Sequence, residues 1–95
     1  MAQNIDLIQK KFDDVFAELG FEYVTVNGFH YWKHGNDYCR ATYIPEWKAF
    51  VMEWANGEVD ASNDVAEDHE LYYLEDGVDS EVKRFREDVA KYYMD

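Results

Sequence analysis

Residues 21–55, FEYVTVNGFHYWKHGNDYCRATYIPEWKAFVMEWA, decide how this chain folds. Four runs rich in aromatic and β-branched residues are separated by short turn signals, a composition that suits a pleated sheet. Residues 21–26 lead into Asn27-Gly28, and both of these accept the positive φ that a two-residue type I′ hairpin requires. Residues 29–34 are the expected return strand, Gly35-Asn36-Asp37 a second turn, and residues 38–44 a third strand. Pro45-Glu46 reads as a third turn because proline cannot donate to a ladder. A fourth strand over residues 47–55 then ends at Asn56-Gly57. The pattern predicts an antiparallel meander.

On either side of the sheet the hydrophobic period changes to that of a helix. Ile5, Ile8, Phe12, Val15, Phe16 and Leu19 fall on one face, which predicts a helix over residues 5–19. Asn4 is placed to cap it, Asp6 sits at its positive end, and Gly20 can turn left-handed after its last turn. Val82, Phe85, Val89, Tyr92 and Tyr93 repeat the spacing and predict a second helix over residues 80–93, capped by Asp79 or Ser80.

Residues 58–81 differ in composition: they hold ten acids, no Lys and no Arg, and so carry −10 of the net −12. Asp64 and Glu67 have capping-box spacing, which predicts a short helix at about residues 65–74. Leu71-Tyr72-Tyr73-Leu74 reads equally well as a short strand. The expected fold class is α+β in a single domain of residues 1–95: an N-terminal helix, a four-stranded antiparallel meander, an acidic connection and a C-terminal helix. Both helices pack on one face of the sheet.

Composition excludes several classes. A chain of 95 residues has room for one domain, and 47% apolar residues with 18% aromatics are too many for a disordered acidic tail. No apolar run approaches the roughly 18–20 residues that span a bilayer. Met1-Ala2-Gln3-Asn4 lacks the charged and apolar parts of a secretory signal, and the single thiol, Cys39, suits a reducing compartment. A cytoplasmic location is expected. At −12 the chain repels nucleic acid and anionic membranes, so the charge suits a basic protein partner.

The motifs for catalysis or metal binding are weak. His30 and His34 lie about 13 Å apart along a strand, too far to chelate one ion, and His69 has no evident partner. Asp60, Ser62 and Asp64 match the start of a calcium loop, but Val65 stands where its glycine belongs and Leu71 where its glutamate belongs. Asp37 with Glu46 and Lys48 has the residue types of a metal-dependent nuclease site. However, Glu46 belongs to a turn, and the chain lacks a basic surface to hold a nucleic acid. No phosphate-binding glycine loop or nucleophile elbow occurs. The expectation is a protein that is not an enzyme and carries no cofactor or metal.

Two features point to protein binding. Aromatic residues populate both faces of the sheet, with Trp47 and Trp54 directed to opposite sides by strand alternation, so one face keeps exposed rings. The acidic segment also retains Val59, Val65, Leu71, Tyr72, Tyr73 and Leu74, enough apolar residues to fix its carboxylates as an array. Asp60, Asp64, Glu67, Asp68 and Glu70 are the leading candidates for partner contact, followed by Glu75 and Asp76, with Tyr72 and Tyr73 as anchors. In size, charge and order of elements the chain resembles phage anti-CRISPR proteins, phage anti-restriction DNA mimics and bacterial immunity proteins against nuclease toxins. The resemblance implies a stoichiometric inhibitor of a basic nucleic-acid-binding enzyme. The alternative is a structural or regulatory domain that binds a peptide, or a second copy, at an open sheet edge.

Overall fold

The computed structural model describes residues 4–94. It has the expected α+β architecture with one more strand than the sequence predicts. The order is α1 (Ile5–Glu18), β1 (Glu22–Val26), β2 (Phe29–His34), β3 (Asp37–Ile44), a 3-10 turn (Pro45–Trp47), β4 (Ala49–Asn56), α2 (Glu58–Ser62), β5 (Glu67–Tyr73), a second 3-10 turn (Leu74–Asp76) and α3 (Val78–Tyr93). The five strands form one antiparallel meander in the order β1-β2-β3-β4-β5.

Helix α1 starts where Asn4 accepts a hydrogen bond from the Leu7 N–H at 3.2 Å, and its chain reverses through Gly20 at φ 89°. With α3 it covers one face of the sheet. Phe12, Phe16, Phe50, Tyr72 and Phe85 meet there without exposed surface, and Phe12 stacks on Phe50 with ring centroids 4.5 Å apart. Truncating one such ring to alanine costs about 3–5 kcal/mol. A smaller core of Tyr31, Tyr38, Ala55 and Ala61 lies on the opposite, outer face, where α2 packs. No other helix among the described residues packs on the outer face.

The acidic connection departs from its expected form. Asp64 does not cap a helix over residues 65–74; it takes φ 56° in the turn that follows α2. Its carboxylate accepts from the Tyr31 hydroxyl at 2.8 Å and pairs with Arg40 at 2.8 Å. The chain then enters β5, which pairs with β4 from Trp54–Glu67 to Ala49–Tyr73, with a bulge opposite Met52 and Glu53. The third turn is also longer than expected. It continues through Trp47 to Lys48, which is left-handed at φ 47°, so β4 begins at Ala49. Helix α3 begins at Val78 behind Gly77, ahead of the expected caps Asp79 and Ser80.

Candidate protein-binding site

Strand β5 is an edge strand, and α3 closes part of that edge. The Arg84 guanidinium donates to the Leu71 carbonyl at 2.6 Å, while the Tyr73 N–H donates to the Glu81 carboxylate at 3.0 Å. Arg84 and Glu81 also bind each other at 2.9 Å. The groups that a further strand would use at Leu71 and Tyr73 are thereby occupied. Hydrogen bonding to Glu81, ahead of other charges nearby, raises the pKa of Arg84 and keeps it charged.

This arrangement sorts the ten acids of residues 58–81. Asp64 is paired with Arg40, Glu70 and Glu81 with Arg84, and Asp79 with Lys11. The Tyr31 hydrogen bond, then Arg40, hold the Asp64 carboxyl below its ordinary range. Glu58, Asp60, Glu67, Asp68, Glu75 and Asp76 have no Lys or Arg partner among the described residues; Glu67 has only His69, 4.0 Å away. Glu67 and Asp68 open β5 and Glu75 and Asp76 follow its end, all exposed, at the two ends of a strip roughly 20–25 Å long.

Apolar surface lies along that strip on the outer face. Trp47 is 55% exposed and Tyr73 37%. Strand alternation places Leu71 and Tyr73 on the same face as Val51, and a shallow groove of about 280 Å³ is lined by Trp47, Val51 and Leu71 with Asp68 and Glu70. The left-handed Lys48 delays the start of β4 to Ala49 and leaves Trp47 in the 3-10 turn instead of in the sheet.

The sequence-derived candidates therefore separate. Asp68 and Tyr73 are exposed on the outer face with Glu70 beside the groove, Glu67 is exposed at the same end of β5 but opposite Trp54 on the helix side, and Glu75 and Asp76 are exposed just past the other end. Asp60 is half-buried on α2, and Asp64 serves as a latch between α2 and β3. Tyr72 has no exposed surface: its hydroxyl donates to Asp88 at 2.6 Å and Arg84 lies over its ring, so it is a core residue and not an anchor. Trp47 joins the surface although the sequence left the choice between tryptophans open. The signal for it was Pro45 followed by a residue run that breaks strand alternation. Trp54 is on the helix side and donates to Asp37 at 2.7 Å.

The chemistry motifs are not assembled. Asp37 begins β3, whereas Glu46 and Lys48 lie at the opposite end of the β3–β4 hairpin, roughly 23 Å away along the strand. His34 stacks on Phe21 and His30 on Tyr23. Burial pushes the Cys39 thiol far above its ordinary range. No group of three His, Cys, Asp or Glu among the described residues is arranged to hold a metal ion, and no helix among them is long and apolar enough to cross a membrane. The chain matches no protein-family model, no curated protein and no solved structure.

Proposed function

We propose that this protein is a small acidic inhibitor that occupies the nucleic-acid site of a basic nucleic-acid-binding enzyme, in the manner of a phage anti-CRISPR or anti-restriction protein or a nuclease-toxin immunity protein. The observation that carries the reading is an edge strand, β5, flanked at its two ends by the exposed carboxylates Glu67, Asp68, Glu75 and Asp76, none with a Lys or Arg partner among the described residues, beside the exposed rings of Trp47 and Tyr73. An uncompensated carboxylate array steers a basic partner, and aromatic anchors hold it once docked. Lys11, Arg40 and Arg84 neutralise Asp79, Asp64, Glu70 and Glu81 within the fold, and Glu67, Asp68, Glu75 and Asp76 stay outside that pairing. The reading needs no catalytic group, and the expected location is the cytoplasm.

The test is to immobilise the protein, pass host lysate over it at low salt, and elute with a salt gradient or with DNA or RNA. A basic nucleic-acid-binding protein released by either, and bound at least tenfold more slowly by a variant carrying E67Q, D68N, E75Q and D76N, is the expected result. A partner indifferent to salt, to nucleic acid and to the four substitutions would refute it. For the alternative, strand addition, α3 side chains occupy the β5 edge at Leu71 and Tyr73, which makes β1 the more open edge.

A further inference from the structure

The ladder between β2 and β3 is short. Trp32 pairs with Cys39, Lys33 with Tyr38 and His34 with Asp37, and pairing stops there although β2 extends back to Phe29 and β3 on to Ile44. The β1–β2 hairpin turns instead toward the outer core. Arg40 lies over the Tyr31 ring at 4.7 Å, and the Asn27 side chain donates to the Ser62 carbonyl at 2.8 Å. On the helix side the parting strands leave a groove of about 310 Å³ beneath α1. Gln9 reaches into it from α1 and donates to the Ala41 carbonyl at 2.9 Å, standing in for the missing strand partner, and to Asp13 at 3.1 Å.

The groove has aromatic walls and one acid, and His30 and Arg40 also reach its lining. Tyr23 and Trp32 come from the hairpin, with ring centroids 4.9 Å apart, Tyr43 comes from β3, and Asp13 from α1. Asp13 is half-buried and has no Lys, Arg or His partner among the described residues. The cationic and imidazole groups at the groove have partners of their own: Arg40, at its lining, is neutralised by Glu53 at 3.1 Å and Asp64 at 2.8 Å, His30 bonds the Thr25 hydroxyl at 3.0 Å, and Lys10 nearby pairs with Asp14 at 2.8 Å. Burial raises the Asp13 pKa, while hydrogen bonds from Gln9 and Trp32 act against the rise.

A single carboxylate cannot hold a calcium or magnesium ion, which needs six or more oxygen ligands or a retained water shell. It does suit a cation whose own surface is partly apolar. Ring faces attract such a cation through their quadrupoles, the apolar walls favour methyl groups over a hydrated metal, and the carboxylate supplies the counter-charge. The volume is at the lower end for ligand sites and admits a head group rather than a large molecule. We propose that the groove between α1 and the parted strands β2 and β3 binds a methylated organic ammonium group, with Asp13 as counter-ion and Tyr23, Trp32 and Tyr43 as its aromatic walls. The groove is on the other side of the sheet from Trp47, so its occupancy does not depend on the role proposed for the acidic surface.

The test is an NMR titration of the full chain with tetramethylammonium chloride at constant ionic strength, using sodium chloride as the control salt. Saturable shifts of the Trp32 indole N–H and the Ala41 and Tyr43 amides are expected, with Trp47 and Trp54 unmoved. Asp13→Asn weakens the binding at least tenfold while the spectrum stays dispersed, and Tyr23→Leu, at an exposed ring, gives a second weakened variant should Asp13→Asn disturb Gln9. Parallel titrations with choline and with a trimethyl-lysine peptide distinguish a free cation from a protein side chain as the natural source, and saturation by either supports the site. Shifts that match the sodium chloride control, or binding unchanged in both variants, would overturn it.

Discussion

Replacing Arg84 by methionine tests the claim that α3 holds β5 through one ion pair. The substitution removes the guanidinium that binds Glu81 at 2.9 Å and 3.1 Å and the Leu71 carbonyl at 2.6 Å. Glu81, only 6% exposed, keeps the Tyr73 N–H but loses its cation. Removing one member of a fully buried pair costs about 3–5 kcal/mol. The Arg84 side chain is 40% exposed, so water offsets part of the loss and about 2–4 kcal/mol is expected. A chain of this size has roughly 5–14 kcal/mol in total, and 1 kcal/mol moves Tm by about 4–8 °C, so Tm should fall by roughly 8–32 °C. Guanidinium unfolding followed by tryptophan fluorescence measures the loss. A double-mutant cycle with Glu81→Gln should return a coupling of about 1–3 kcal/mol. Sedimentation should also detect concentration-dependent association of Arg84→Met as the Leu71 carbonyl is uncovered. A loss below about 0.5 kcal/mol, or additive single mutants, would reduce Arg84 to an ordinary surface charge and refute the reasoning.

Lys48 is left-handed at φ 47°, so Lys48→Gly should raise stability by about 0.5–1 kcal/mol in thermal melts; a lower Tm would show that its side chain matters more than its backbone. Trp47, at 55% exposure, should be replaceable by alanine within about 0.5 kcal/mol of stability while partner affinity falls at least tenfold, read by denaturation and calorimetry respectively. Burial and then the Asp64 hydrogen bond push the Tyr31 phenol up to about 12. Burial also raises Tyr72 and Tyr93. Because the folded-state values lie above the ordinary phenol value near 10, the Tyr31 contribution is complete below pH 10 and is lost as pH rises through about 12, and Tyr72 and Tyr93, raised in the same direction, add to the decline above pH 10. Melts between pH 9 and 12 should decline in step with phenolate absorbance, and less steeply in Tyr31→Phe; a flat profile would contradict the burial of these hydroxyls.

The local elements follow from neighbouring residues alone. The spacing of Ile5, Ile8, Phe12, Val15 and Phe16, the Asn4 cap, Asn27-Gly28 and Pro45 each act within a few residues, so α1 and the strands through β4 appear where residue period and turn chemistry place them. The concentration of negative charge was legible for the same reason, since it is a count along the chain. The state of residues 64–76, and which of them build the exposed acidic surface, depends instead on contacts between distant parts of the chain. Residues 67–73 carry acids on both faces and a short apolar run, so no local period separates helix from strand. The choice is made at a distance, by the open edge of β4, the core space that Tyr72 fills beside Phe12 and Phe85, and Arg84 and Glu81 waiting on α3. The same long-range pairing decides which carboxylates are neutralised. Arg40 reaches Asp64 and Arg84 reaches Glu70 because the sheet brings them together, and charge interactions depend on distance in space instead of distance along the chain.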